Sequence, residues 1–118
     1  MMDEAFIEDV FARFGKVSIK RMFGGQGIYA HGVMFALAFE AIYIKTDEAM
    51  REALRDLDSK AFVYPLMRKP PRARESGFWR LPESALDDPD EAANWARRAL
   101  AVAQAKKSAP KKRRVTSR

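Results

Sequence analysis

The chain contains no cysteine and only one histidine, His31. Without thiols it forms neither a disulfide framework nor a thiolate metal site, and one imidazole does not make a transition-metal centre. That histidine falls at the tip of a predicted hairpin, which lacks the partners that position a general base. The serines (Ser18, Ser59, Ser76, Ser84, Ser108 and Ser117) have no base fixed beside them in sequence. No apolar run approaches the roughly 20 residues needed to cross a bilayer. The N-terminus, MMDEAFIEDVF, is acidic and amphipathic, unlike a secretory leader. These absences set the expectation of a cytoplasmic protein without catalytic residues, metal or cofactor.

What is present divides into two parts. The 118 residues suit one domain, and 47% apolar content with eight Phe and two Trp supports a true core. The last fourteen residues, AKKSAPKKRRVTSR, hold seven cations and no acid: Lys106, Lys107, Lys111, Lys112, Arg113, Arg114 and Arg118. Residues 1–104 keep the other 15 of the 22 basic residues against all 16 acids, a net charge of −1. The basic character therefore belongs to the tail. The expected organisation is a folded domain over 1–104 and a disordered basic tail over 105–118, where Pro110 and the charge run oppose regular structure.

Within the domain, Asp3 can cap a helix running to about Phe14, with Phe6, Val10 and Phe14 flanked by Ile7 and Phe11 as its apolar stripe. From Val17 to Lys45 the period changes to two. Gly24, Gly25 and Gly27 punctuate this stretch as turns or bulges do, and His31-Gly32 reads as a two-residue hairpin turn. Val33, Phe35, Leu37 and Phe39 then form one strand face and Met34, Ala36 and Ala38 the other. If a helix does not cover that second face, it is free to pair with a second copy. Ile42 to Lys45 gives a further strand. Thr46 or Asp47 caps a second helix with Met50, Leu54 and Leu57 inward. Ala61–Tyr64 and Phe78–Leu81 are short strands around a loop with three prolines and four cations. Asp88, Pro89 and Glu91 occupy N-cap, N1 and N3 of the last helix, an aspartate form of the capping box, and Ala92, Trp95, Ala99 and Val102 continue its inner face. Consecutive strands without crossover helices imply an antiparallel sheet. The predicted class is α+β, in the order α, three or four strands, α, two strands, α, with helices packed on the sheet as a two-layer sandwich.

The segments RMFGGQGIY (Arg21 to Tyr29), GVMFALA (Gly32 to Ala38), YIKTD (Tyr43 to Asp47), FVYP (Phe62 to Pro65), WRLPE (Trp79 to Glu83), LDD (Leu86 to Asp88) and WARRAL (Trp95 to Leu100) follow one another in the order found in the TfoX/Sxy family. The first 104 residues resemble that family's N-terminal domain. The resemblance implies a small α+β sandwich and a regulatory role of the competence type, acting with a cyclic-AMP-dependent transcriptional activator. The family's best-known members add a C-terminal helical domain; here a basic tail follows the N-terminal domain instead.

Several motifs carry two readings. Gly24 to Gly27 offers backbone N–H groups to an anion, but it lies between two strands, where glycines usually serve a turn or bulge. Arg21 beside it suits an anion or a structural ion pair. Asp87 to Glu91 can chelate a cation, although a helix start explains each acid. Phe6, Phe11, Phe35, Trp79 and Trp95 lie on apolar faces and read as core rather than stacking platforms. The tail has what a flexible phosphate-binding arm requires: many cations, no acid, and a proline. The expected nucleic-acid contacts are Lys106, Lys107, Lys111, Lys112, Arg113 and Arg114, with Arg72 and Arg74 as auxiliary contacts. The expectation is a non-enzymatic regulatory protein, monomer or homodimer, placed in the cytoplasm with possible nucleoid association. Its body would bind a protein partner and its tail nucleic acid. The alternatives are an interaction adaptor with no nucleic-acid role, and a small-ligand carrier with a pocket near Gly24 to Tyr29.

Overall fold

The computed structural model describes residues 2–22, 24–62 and 77–108, with side chains through Ala105. Its elements are α1 (Glu4–Val10), β1 (Ser18–Met22), β2 (Gly25–Ala30), β3 (Val33–Ala38), β4 (Ile42–Lys45), α2 (Glu48–Asp56), β5 (Phe78–Arg80), α3 (Glu83–Leu86) and α4 (Pro89–Ser108). The strands form one antiparallel sheet in the order β1-β2-β3-β4-β5. The protein is α+β, with helices packed on the sheet, as the strand run without crossovers requires. Of the two short strands expected after α2, the second is β5. Of the first, Ala61 forms a bridge with Trp79, and Val63 and Tyr64 lie outside the described residues.

Local chemistry sets the element ends. Asp3 accepts from Ala5 N–H and Asp47 from Met50 N–H at 2.9 Å, satisfying donors that the first helical turn leaves open. Asp88 does the same for α4, accepting from Asp90 and Glu91 N–H. At the β2–β3 turn, His31 and Gly32 have φ of 52° and 78°, the two positive angles that a two-residue hairpin turn of this twist requires.

The main core lies between the sheet and the helices. Ile7, Val10 and Phe11 from the α1 region, Met50 and Leu54 from α2, Ala85 from α3, and Ala92, Trp95, Ala96, Ala99 and Ala103 from α4 pack with Ile28, Phe35, Ala36, Ala38, Ile42, Ile44 and Trp79. Each fully buried large side chain contributes about 1.5–3 kcal/mol by leaving water. The alanine run of α4 lets that helix sit close on β3 and β4. Phe35 meets Phe11 and Phe14 at ring-centroid distances of 5.4 and 5.1 Å.

Three expectations are corrected. α1 is helical only to Val10, and residues 11–14 form turns, so the inward stripe is Ile7, Val10 and Phe11, with Phe14 packed beside it. Phe6 falls outside that stripe and is 40% exposed; Leu57, beyond the end of α2, is 47% exposed. In β3 the faces are not those of simple alternation. Ile28 pairs with Ala36 and Tyr29 with Met34, which leaves Phe35 as an extra residue at a bulge. Val33, Phe35, Ala36 and Ala38 therefore join the helix-side core, while Met34 and Leu37 turn to the other face. There Leu37, Ala41, Tyr43, Phe62 and Phe78 form a second cluster, with Met22, Met34 and Phe39 against it. Helices cover Ala36 and Ala38, so the condition for pairing that face with a second copy is not met.

Candidate functional site

The glycine segment is built for close approach rather than as an anion cradle. Gly25 opens β2 opposite the end of β3. A Cβ added there would lie 2.4 Å from the Phe39 ring and 2.6 Å from the Ala38 carbonyl oxygen. The adjacent Gln26 is 2% exposed, and both polar atoms of its amide are engaged: Nε2 donates to Met2 O at 2.9 Å and Oε1 accepts from Met2 N–H at 3.0 Å. That pair pins the segment before α1 to the sheet. The sequence hinted at it only through a lone polar residue among glycines in a strand. Arg21, next to this segment on β1, is exposed.

His31 is exposed at its hairpin tip. The acids around the start of α4 are each engaged in a structural role or in solvent. Asp88 caps the helix, and Asp90 binds the Arg13 guanidinium at 2.9 Å. Glu91 does not reach back to the cap as in a reciprocal capping box. It accepts instead from Ser84 Oγ at 2.9 Å and Trp95 Nε1 at 3.3 Å, tying α3 to α4. Among the described residues, no three His, Asp or Glu side chains converge as metal ligands.

Two further polar features escaped the sequence. Tyr43 donates its hydroxyl to Glu40, and burial, this hydrogen bond and the neighbouring carboxylate push its pKa up to about 12. A cleft of about 220 Å³ is lined by Leu57, Asp58, Ser59, Arg80, Leu81, Pro82 and Glu83. Its buried hydroxyl, Ser59 Oγ, is already spent on Arg80 O at 2.6 Å. The cleft lies away from the Gly24–Tyr29 segment where a ligand pocket was an alternative expectation.

Of the expected nucleic-acid contacts, the structure places the backbone of Lys106 and Lys107, which continue α4 to Ser108 past the boundary drawn at residue 104. Arg72, Arg74, Lys111, Lys112, Arg113 and Arg114 lie outside the described residues. On the described part of α4, Arg97 and Arg98 are exposed, and the Arg98 guanidinium sits 5.1 Å from the Trp95 ring centroid. Among the described residues no helix is long and apolar enough to cross a membrane.

A five-stranded antiparallel meander carrying its helices on one face, with glycines and caps placed as above, defines a small α+β domain. A family model described as the TfoX N-terminal domain matches residues 9–103, and the chain belongs to that family. No curated protein matches the chain.

Proposed function

We propose that this protein is a non-enzymatic regulator. Its folded domain engages a protein partner of the transcriptional-activator kind, and its basic C-terminal segment adds sequence-independent nucleic-acid affinity. The observation that carries this reading is the separation of charge. All sixteen acids lie at or before Glu91, and seven cations without an acid lie at or after Lys106. A net charge of −1 on residues 1–104 gives the body little electrostatic pull on phosphate. Seven clustered cations are suited to displace counterions from a duplex. Contacts of that sort position a protein on nucleic acid and read no sequence, so selectivity falls to the partner. The family supports a TfoX-like domain in the body; the regulatory role and the partner are the reading proposed here.

The test is fluorescence anisotropy with a labelled duplex. The intact chain is compared with a variant in which all seven tail cations become glutamine. The intact chain should bind and the variant should lose most affinity while keeping its melting temperature. Equal binding by the two would refute the role of the tail.

A further inference from the structure

The two edges of the sheet are treated differently by the chain. Along β5, Phe62 N–H donates to Phe78 O at 2.7 Å and Arg80 N–H donates to Lys60 O at 3.0 Å, so residues 60–62 cover that edge. β1 pairs with β2 alone, and no described strand or bridge pairs with its outer side. An uncovered edge presents backbone donors and acceptors ready to pair with another strand.

The side chains along this edge share one sign. Ser18, Lys20 and Arg21 are exposed, and Ile19 and Met22 half-buried. Strand alternation puts Lys20 on the face of Met22, where its ammonium lies 5.3 Å from the Tyr29 ring centroid. The same alternation puts Arg21 on the helix-bearing face, in register with Gln26. The exposed Lys16 precedes the strand. From Val10 to Phe39 the chain holds Arg13, Lys16, Lys20 and Arg21 and no aspartate or glutamate. Asp90 takes up Arg13, whereas no ion pair joins Lys16, Lys20 or Arg21 to an acid among the described residues. A lysine on an edge strand guards against aggregation, which accounts for one cation. It does not account for a run of thirty residues free of acid, or for cations on both faces of the open strand.

We propose that the outer edge of β1 docks an acidic, extended segment of a partner protein, which adds to the sheet as a sixth strand. Backbone pairing to Ser18–Met22 supplies the hold, and carboxylates on successive residues, directed to opposite faces, meet Lys20 and Arg21. A second copy of this chain does not fit the same edge. Pairing β1 with β1 would gather Lys16, Lys20 and Arg21 of both copies, and like charges across strands are destabilising. The inference rests on the reading of the folded domain as a partner-binding module, and names its surface.

The experiment uses the intact chain and a labelled peptide, TVEEVEEVT, with its basic counterpart TVKKVKKVT and a 20-base-pair duplex as comparison probes. Because the basic tail also attracts acids, the deciding readout is residue-resolved amide hydrogen exchange. The acidic peptide should slow exchange of the outward amides within Ser18–Met22 by about tenfold or more, as ladder pairing does. The basic peptide should leave them unchanged. Lys20→Glu/Arg21→Glu should weaken binding of the acidic peptide about tenfold and abolish the protection. Lys20→Gln/Arg21→Gln should fall between, and serves if charge reversal impairs folding. The proposal is overturned if the peptide leaves β1 amides unprotected, if the variants bind as the intact chain does, or if the duplex protects β1 and the peptide does not. A host protein bound equally by the intact chain and by Lys20→Gln/Arg21→Gln would sink the edge and leave the partner reading standing. A chain that takes no protein partner would sink the reading itself.

Discussion

Replacing Gly25 by alanine tests whether the glycine segment exists for packing. The new methyl carbon would stand 2.4 and 2.5 Å from two carbons of the Phe39 ring and 2.6 Å from the Ala38 carbonyl oxygen. Neither neighbour yields easily. Phe39 stacks on Phe62 at 5.0 Å between centroids, and Ala38 is held in the ladder by Gln26 and Ile42. Forcing one methyl into such a site costs about 1–3 kcal/mol, and loss of glycine freedom from the unfolded chain returns about 0.4–1 kcal/mol. The net destabilisation is about 1–2 kcal/mol, or a fall of several degrees in Tm for a domain of this size. Gly24→Ala is the instructive contrast. Nothing lies within 4 Å of its added carbon, but its φ of 82° strains any other residue by about 1–2 kcal/mol. Gly24→Asn, which tolerates that φ, should recover stability, whereas Gly25→Asn should be worse than Gly25→Ala. Urea titrations followed by circular dichroism report both series. If Gly25→Ala is as stable as the parent, the close-approach argument fails. If the parent alone is stabilised by added phosphate, the anion-cradle reading takes its place.

The remaining predictions concern single groups. Asp88→Ala removes the cap of α4 and should cost about 0.5–2 kcal/mol in the same urea assay, with Asp88→Ser largely restoring it. Gln26→Leu leaves the Met2 backbone without partners; it should cost about 1–3 kcal/mol and speed hydrogen exchange in α1 more than in α4. Tyr43 should lose its proton at about pH 12, seen as tyrosinate absorbance that Tyr43→Phe removes. Because the folded value lies above the ordinary 10.0, the stability it confers is complete below pH 10 and is lost as pH rises towards 12. Melting curves across that window should therefore converge for the parent and Tyr43→Phe.

The features legible in the sequence were those determined within a few residues. The caps Asp3, Asp47 and Asp88 each have a short acceptor side chain just before an apolar periodicity; the sequence singles out Asp3 and Asp88, and of Thr46 and Asp47 the structure uses Asp47. His31-Gly32 carried its own turn chemistry, and the run of strands without crossover helices settled the antiparallel class. Features depending on register were not legible. The bulge at Phe35 exists because the ladder to β2 slips between Ile28 and Tyr29, which brings Phe35 against Phe11 and Phe14, more than twenty residues earlier. Nothing in VMFALA announces that slip, so a strict period of two groups Phe35 with Leu37 and Met34 with Ala36 and Ala38, pairings that the structure separates. Phe6 belongs to a stripe only if α1 is long; once the helix ends at Val10 the stripe centres on Ile7 and Phe11, and Phe6 falls about 100° round the helix from Ile7. The short α3 has no side-chain cap and no room for a period, and it went unseen. As to the site, the cations of the tail are plain in the sequence. That no described strand pairs with the outer side of β1 required knowing which strands are outermost, although the absence of acid between Asp9 and Glu40 is there in the sequence.

The salt dependence of duplex binding by the intact chain tests most directly whether the tail acts as a cationic device separate from the folded domain. Seven phosphate contacts predict that the logarithm of the association constant falls against the logarithm of salt concentration with a slope of roughly −6. The glutamine variant of the tail should show a slope near zero. A variant that keeps the steep slope would place the nucleic-acid contact in the folded domain, and an intact chain with a shallow slope would show that the tail cations do not meet the phosphates; either result contradicts a division of labour between body and tail.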